Sequence, residues 1–184
     1  MRKDFGAKPW VLPQPVLIIG TYDKDDKPNA MNAAWGGTYD FDKVVISLSE
    51  HKTTDNLKLH KAFSLSFGTK STVAACDYVG VVSQHKEPNK IKKSGLHAFK
   101  SEKVHAPLFE EFPIIMECEV DKFDENEGIL IGKIINVSVD EKYIKDGKID
   151  SKALEIIAYD PTSNKYRLVG EEVADAFKIG FTLK

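Results

Sequence analysis

Cysteine is nearly missing from this 184-residue chain: only Cys76 and Cys118 occur, far apart and in no C-x-x-C pair. That scarcity excludes a stapled miniprotein and lends no support to structural zinc or an obligatory disulfide. Long apolar runs are missing too, since the N-terminus has no apolar h-region and the longest early run, Val16 to Ile19, is far too short to span a bilayer. No membrane association is expected, and the chain reads as cytoplasmic. Neither sign of charge dominates, with 26 Lys plus Arg against 28 Asp plus Glu and a net charge of -2. Such a balance carries no general nucleic-acid footprint. The glycine-rich cradles G-x-G-x-x-G and G-x-x-x-x-G-K-[ST] are absent, which excludes the Rossmann and phosphate-loop readings. There is no G-x-S-x-G elbow, and the five histidines (His51, His60, His85, His97 and His105) make no short ligand pattern. Neither a metal site nor a catalytic nucleophile is expected, and Cys76 reads as a small packed hydrophobe.

What the chain does have is a soluble globular composition, 42% hydrophobic and 29% charged, and enough length for one domain with its own core. Residues 16–22 read as a strand, Asp23 to Pro28 as a polar turn and Asn29 to Trp35 as a second extended segment, which is a β-hairpin. Val44, Ile46 and Leu48 share one face of a third strand and Val45, Ser47 and Ser49 the other, and Phe63, Leu65 and Phe67 alternate in the same way with Ser64, Ser66 and Gly68. Ile114, Met116, Cys118 and Val120 alternate against Glu117 and Glu119, while Ile129, Ile131, Ile135, Val137 and Val139 share one face of the next strand. Helix signals are few: Thr53 or Thr54 caps a segment through Lys61, and Ser71-Thr72 opens one through about Val82. Strands with no βαβ rhythm predict a mainly β fold, a six-stranded antiparallel barrel with a few short peripheral helices. No linker or repeat divides residues 1–184, and the less periodic segment 154–184 is expected to pack on the barrel or on a partner subunit.

Three polar segments carry the chemistry. Ser49-Glu50-His51-Lys52-Thr53-Thr54 joins a strand to a helix N-terminus, where hydroxyls, a cation and free backbone N–H groups meet as an anion site. Taken alone, the simpler reading is an N-cap beside a solvated lysine. Ser83 to Lys90 mixes hydroxyl, amide and basic groups in a loop, which alone reads as an exposed polar loop. Asn29 to Gly37 is an extended run of small residues along which a flat ring can approach the backbone, although the same residues also permit close strand packing.

Together these segments resemble the flavin reductase-like family of FMN-binding split barrels. The resemblance rests on Pro15 to Thr21, on Pro28-Asn29-Ala30-Met31-Asn32-Ala33-Ala34-Trp35-Gly36-Gly37, on Ser47 to Asn56, and on Asp77 to Ser83 continuing through Asn89-Lys90 to Leu96. It implies a Greek-key split barrel that forms a homodimer and binds FMN. The likeness places Asn29, Met31, Asn32, Ala33, Ala34 and Trp35 beside the isoalloxazine and Ser47 and Ser49 near the ribityl chain. It places His51, Lys52, Thr53 and Thr54 in the phosphate loop and Ser83 and Lys90 in a second flavin-facing loop. Gln84 departs from the glycine many relatives carry. The implied activity is an NADH- or NADPH-dependent oxidoreductase passing electrons through FMN to a small-molecule or protein acceptor. The alternative is an FMN-binding electron carrier without nicotinamide oxidation, and a single-stranded nucleic-acid barrel is a weaker third reading.

Overall fold

The computed structural model describes residues 1–183. After a short strand, β1 (Gln14–Pro15), the chain forms β2 (Leu17–Tyr22) and β3 (Pro28–Ala33), an antiparallel hairpin with Leu17 opposite Ala33. Its turn is fixed locally: Asp23 Oδ1 accepts the N–H groups of Asp25 and Lys27 at 2.9 and 3.0 Å, the side-chain mimic of a backbone turn. Next come β4 (Gly36–Asp40), β5 (Lys43–Ser47), α1 (Lys52–His60), β6 (Ala62–Phe67), α2 (Val73–Val81) and α3 (Lys90–Ser94). A small hairpin, β7 (Ala98–Lys100) with β8 (Pro107–Phe109), precedes the long strands β9 (Ile114–Asp124) and β10 (Ile129–Val139).

The main sheet is antiparallel with order β3-β2-β6-β9-β10-β5-β4. Its two edges, β3 and β4, are joined only by Ala34 and Trp35, so three Cα steps hold their ends within about 11 Å. The sheet must therefore curl upon itself into a half-barrel. The strand count is seven, not the expected six. The added edge strand, Gly-Gly-Thr-Tyr-Asp, is mostly exposed and has no apolar alternation to announce it.

Every residue of β2 is buried because the strand lies between two cores. Leu17 and Ile19 face the barrel interior with Met31, Ala33, Ile46, Phe63, Leu65 and Leu130. Val16 and Ile18 face an outer core built with α2 and the segment 96–115, including Cys76, Val79, Phe109 and Phe112. Cys118 packs in the interior and Cys76 in the outer core, as small hydrophobes.

Strand β10 departs from expectation. Its face carrying Ile135 and Val137 is 40% and 48% exposed, whereas Leu130 is fully buried and Ile134 packs on the interior. Leu130, Gly132 and Ile134 keep the inward side along the strand, so the face that carries Ile135 and Val137 is the outward one. Alternation reports that a face is apolar, not what covers it. Glu117, expected on a solvent face, is also buried: it accepts from Ser101 Oγ and Asn136 Nδ2, each at 2.5 Å.

Two tiny strands, β11 (Ile144–Lys145) and β12 (Lys148–Ile149), precede β13 (Ile157–Asp160) and β14 (Lys165–Leu168). β13 pairs with β1 and β14, so residues from Leu154 to Leu168 lie on the chain's own barrel, while residues 169–183 are exposed. Among the described residues no helix is long and apolar enough to cross a membrane.

Candidate functional site

The site is built around β3, α1 and the loop after α2. α1 begins at Lys52, and its N-cap is His51, not Thr53 or Thr54 as the sequence suggests. Thr54 instead reaches back one turn: its hydroxyl accepts from His51 N–H at 3.0 Å and donates to the His51 carbonyl at 2.7 Å. The N–H groups of Thr54 and Asp55 also go to that carbonyl. Those of Lys52 and Thr53 have no carbonyl within the helix to receive them, and they form the positive end of its dipole. Ser49 Oγ lies 3.0 Å from His51 Nε2, which bonds the incoming strand end to the cap.

A cleft of about 140 Å³ opens beside this helix start. Asn29, Met31, Asn32, His51, Lys52, Thr53, Ser83 and Lys90, all predicted from sequence, line it together with Val79 to Val82 and Gln84. Two adjoining clefts continue along β3. One is lined by Val16, Asn32, Ala34, Asp77, Gly80, Val81, Tyr159 and Tyr166, and the other by Ala34, Trp35 and Gly36 against the N-terminal segment Pro9 to Pro15. The remaining predicted residues are elsewhere: Ala33 packs in the interior core, Ser47 sits in β5, Ser49 is exposed beside His51, and Thr54 is buried behind the cap.

The chemistry of the first cleft is set by unmet polar groups. Lys90 is only 3% exposed and forms no ion pair among the described residues. Burial pulls its ammonium down to about 8 from the usual 10.5. Asn29 is buried as well: its Nδ2 donates to Thr53 Oγ1 at 2.8 Å, while its Oδ1 has no partner. Gln84 donates to the Pro28 carbonyl at 3.2 Å, tying the loop to β3, and its buried Oε1 is likewise unpartnered. A buried cation and two orphan acceptors around a helix N-terminus form a site for a ligand with an anionic end and hydroxyl donors.

β3 is a sheet edge, hydrogen-bonded on one side by β2 only, so its other side offers backbone N–H and C=O groups to a flat ligand. α2 stands over this strand at close range because residue 80 is glycine; a Cβ there would fall 3.0 Å from Asn32 Cβ. Asn32 Nδ2 in turn donates to the Cys76 carbonyl at 3.2 Å. Tyr166, whose hydroxyl donates to Asp77 at 2.8 Å, walls the middle cleft and had no signal in the sequence. A larger cavity, about 480 Å³, lies away from all of this, against Phe99, Lys100, Pro113 and Asn136. None of the orphan acceptors lines it. The two thiols offer no nucleophile, since burial pushes Cys76 up to about 11 and Cys118 up to about 12.

Comparison with known proteins finds relatives of this fold. The family model described as flavin reductase like domain matches residues 11–152. The flavoredoxin of Desulfovibrio vulgaris (Miyazaki F) is 34% identical, with 98% of this chain and 100% of that chain covered and a TM-score of 0.93. A flavoredoxin from Methanosarcina acetivorans is 25% identical over 100% of both chains, with a TM-score of 0.89. An FMN-binding domain of a flavin reductases-like enzyme from Shewanella baltica OS155 shares the fold at 19% identity, covering 88% of this chain and 89% of that one with a TM-score of 0.78. No curated protein sequence matches.

Proposed function

Because the chain belongs to the flavin reductase-like domain family, we propose that it binds flavin mononucleotide and works as an NADH- or NADPH-dependent oxidoreductase. The observation that carries the binding is Lys90, a buried ammonium without a carboxylate, lining the same cleft as the open N-terminus of α1. Lys90, Lys52 and the first N–H groups of α1 would hold the phosphate, and the orphan Asn29 Oδ1 would accept a hydroxyl of the sugar-alcohol chain. The free edge of β3 at Asn32 and Ala33, continued by Ala34 and Trp35, would carry the ring, with α2 and Tyr166 closing one side. Bound flavin supplies hydride and electron chemistry between the nicotinamide and an acceptor. The chain's own task is then to hold the phosphate by charge, present backbone donors and acceptors to the ring edge, and leave one face open to a donor.

A second copy of the chain is part of the proposal. Ile135 and Val137 on β10, and Trp35 at 58% exposure beside the ring end of the clefts, support an apolar contact between protomers. The exposed segment 169–183, with Val173, Phe177 and Ile179, is suited to reach across it. Two cysteines that are free and buried are consistent with a cytoplasmic setting.

The test is to load purified protein with FMN, desalt it, record the flavin absorbance and then add NADH or NADPH anaerobically. Retention with bleaching supports the oxidoreductase. Retention without bleaching supports the electron carrier, which uses the same clefts. No retention and no turnover of free FMN overturns both.

A further inference from the structure

We propose a second site, away from the clefts: a three-ligand site for a first-row divalent transition ion made by Asp26, His60 and His105. The three residues are far apart in sequence, and the fold brings one ligand atom of each to within 4.8 Å of the others. Asp26 lies in the β2–β3 turn, His60 in the last turn of α1, and His105 in the loop between β7 and β8. This is a separate end of α1 from the one that faces the first cleft.

Each ligand is held by structure that does not depend on an ion. The turn bearing Asp26 is locked by Asp23, whose carboxylate accepts from Asp25 and Lys27 and whose carbonyl accepts from Asp26 N–H at 3.1 Å. His105 is flanked by Val104 and Ala106, which pack with Ala62 in a small core of their own, two residues beyond His60. Ser101 Oγ accepts the N–H groups of Lys103 and Val104, both at 2.9 Å, while donating to buried Glu117, so the loop is pinned from below. The two imidazole rings stand 4.6 Å apart, and Tyr22 walls the pair at 5.2 Å from His105.

The donor set fits the ion class. Two imidazoles and one carboxylate suit zinc and its neighbours, whereas calcium and magnesium ask for oxygen ligands. His60 Nε2 lies 3.0 Å from the Asp23 carbonyl, which can only accept. That bond puts the proton on Nε2 and leaves the Nδ1 lone pair, the second-shell arrangement in which a backbone carbonyl sets the tautomer of a metal-binding histidine. His105 Nε2 and Asp26 Oδ1 are 2.9 Å apart. Ligands about 2.0–2.2 Å from a tetrahedral ion stand roughly 3.3–3.5 Å from each other, so small side-chain rotations close the set. The ion takes the place of the proton between Nε2 and Oδ1, which leaves to solvent, and water completes the fourth position. The occupied site would clamp the hairpin turn, the end of α1 and the 101–106 loop together.

The test is calorimetric titration of the metal-free full chain with Zn²⁺, repeated with excess FMN, and with Co²⁺ as a spectroscopic probe. The expected result is one equivalent bound whether or not FMN is present, and a visible Co²⁺ ligand-field band. His105→Ala and Asp26→Asn, both on the surface, should each weaken binding at least about tenfold while His97→Ala leaves it unchanged. Circular dichroism and FMN binding show that the variants are folded. No saturable Zn²⁺ binding, or binding that survives both substitutions, overturns the site and leaves the flavin reading untouched.

Discussion

Replacing Lys90 by Met separates stability from binding. Without ligand, the buried ammonium sits at about 8 where the unfolded chain has it near 10.5. At about 1.36 kcal/mol per pH unit the charged form costs about 3 kcal/mol in place, and we take about 2 kcal/mol because Lys90 borders a cleft open to water. Between pH 8 and 10.5 the unfolded chain keeps a proton that the folded chain has shed, so the stability of the flavin-free protein rises with pH across that window and lies on its lower plateau below pH 8. Lys90→Met keeps the unbranched stem and removes the charge. The variant should be more stable at pH 7 by about 2 kcal/mol, a rise of roughly 4–8 °C in melting midpoint for a chain of this size, and its stability should lose the alkaline rise. Binding should move the other way. Losing a charge-assisted contact to phosphate costs about 1.5–3 kcal/mol, or roughly 10- to 150-fold in FMN affinity. In the wild type, affinity should be flat just below pH 8 and fall by up to about tenfold per pH unit above it, as the lysine gives up the proton the phosphate needs; in the variant that fall should vanish. Calorimetric FMN titrations between pH 7 and 10, with melting curves of the flavin-free protein, measure both. A variant no more stable than wild type that binds FMN equally well, with the same alkaline fall, refutes the assignment of Lys90.

Thr54→Val removes both links between the Thr54 hydroxyl and the His51 backbone, and should cost about 1 kcal/mol in denaturant unfolding and weaken FMN retention on desalting. Lys52→Glu puts a negative charge at the same helix start and should lower FMN affinity at least about tenfold in a fluorescence titration, with little change in melting. Gly132→Ala places a Cβ about 2.3 Å from Phe63 Cζ in the interior core and should destabilise by about 1–3 kcal/mol, read as a lower denaturation midpoint. Both thiols should resist a disulfide reagent at pH 8 until denaturant is added, because burial holds Cys76 at about 11 and Cys118 at about 12; rapid labelling of the native protein would contradict their burial.

The hairpin from Leu17 to Ala33 and the alternating strands at 63–67 and 114–121 were legible because a polar turn and a period of two are local properties. So was the mainly β class. The edge strand Gly36–Asp40 and the five-residue helix at Lys90 were not, since the first is polar and exposed and the second is too short and lysine-rich to show a face. The cap of α1 was misplaced by two or three residues for a related reason: Thr54 carries a capping hydroxyl, but it acts backwards on His51.

By itself, then, the sequence determined the class of fold and the residue types that gather at the clefts, because periodicity and the Asn29–Trp35 and Ser47–Asn56 segments are written in consecutive positions. Only the tertiary structure decided which of those groups are left without partners. Lys90 is a solvated charge when its loop is read alone, and only the folded chain buries it, with no ion-pair partner among the described residues. The same holds for Asp26, His60 and His105, whose meeting depends on a hairpin turn, a helix end and a loop packed on Ala62, Val104 and Ala106. Burial and long-range contact are properties of the closed surface, and no stretch of sequence contains them.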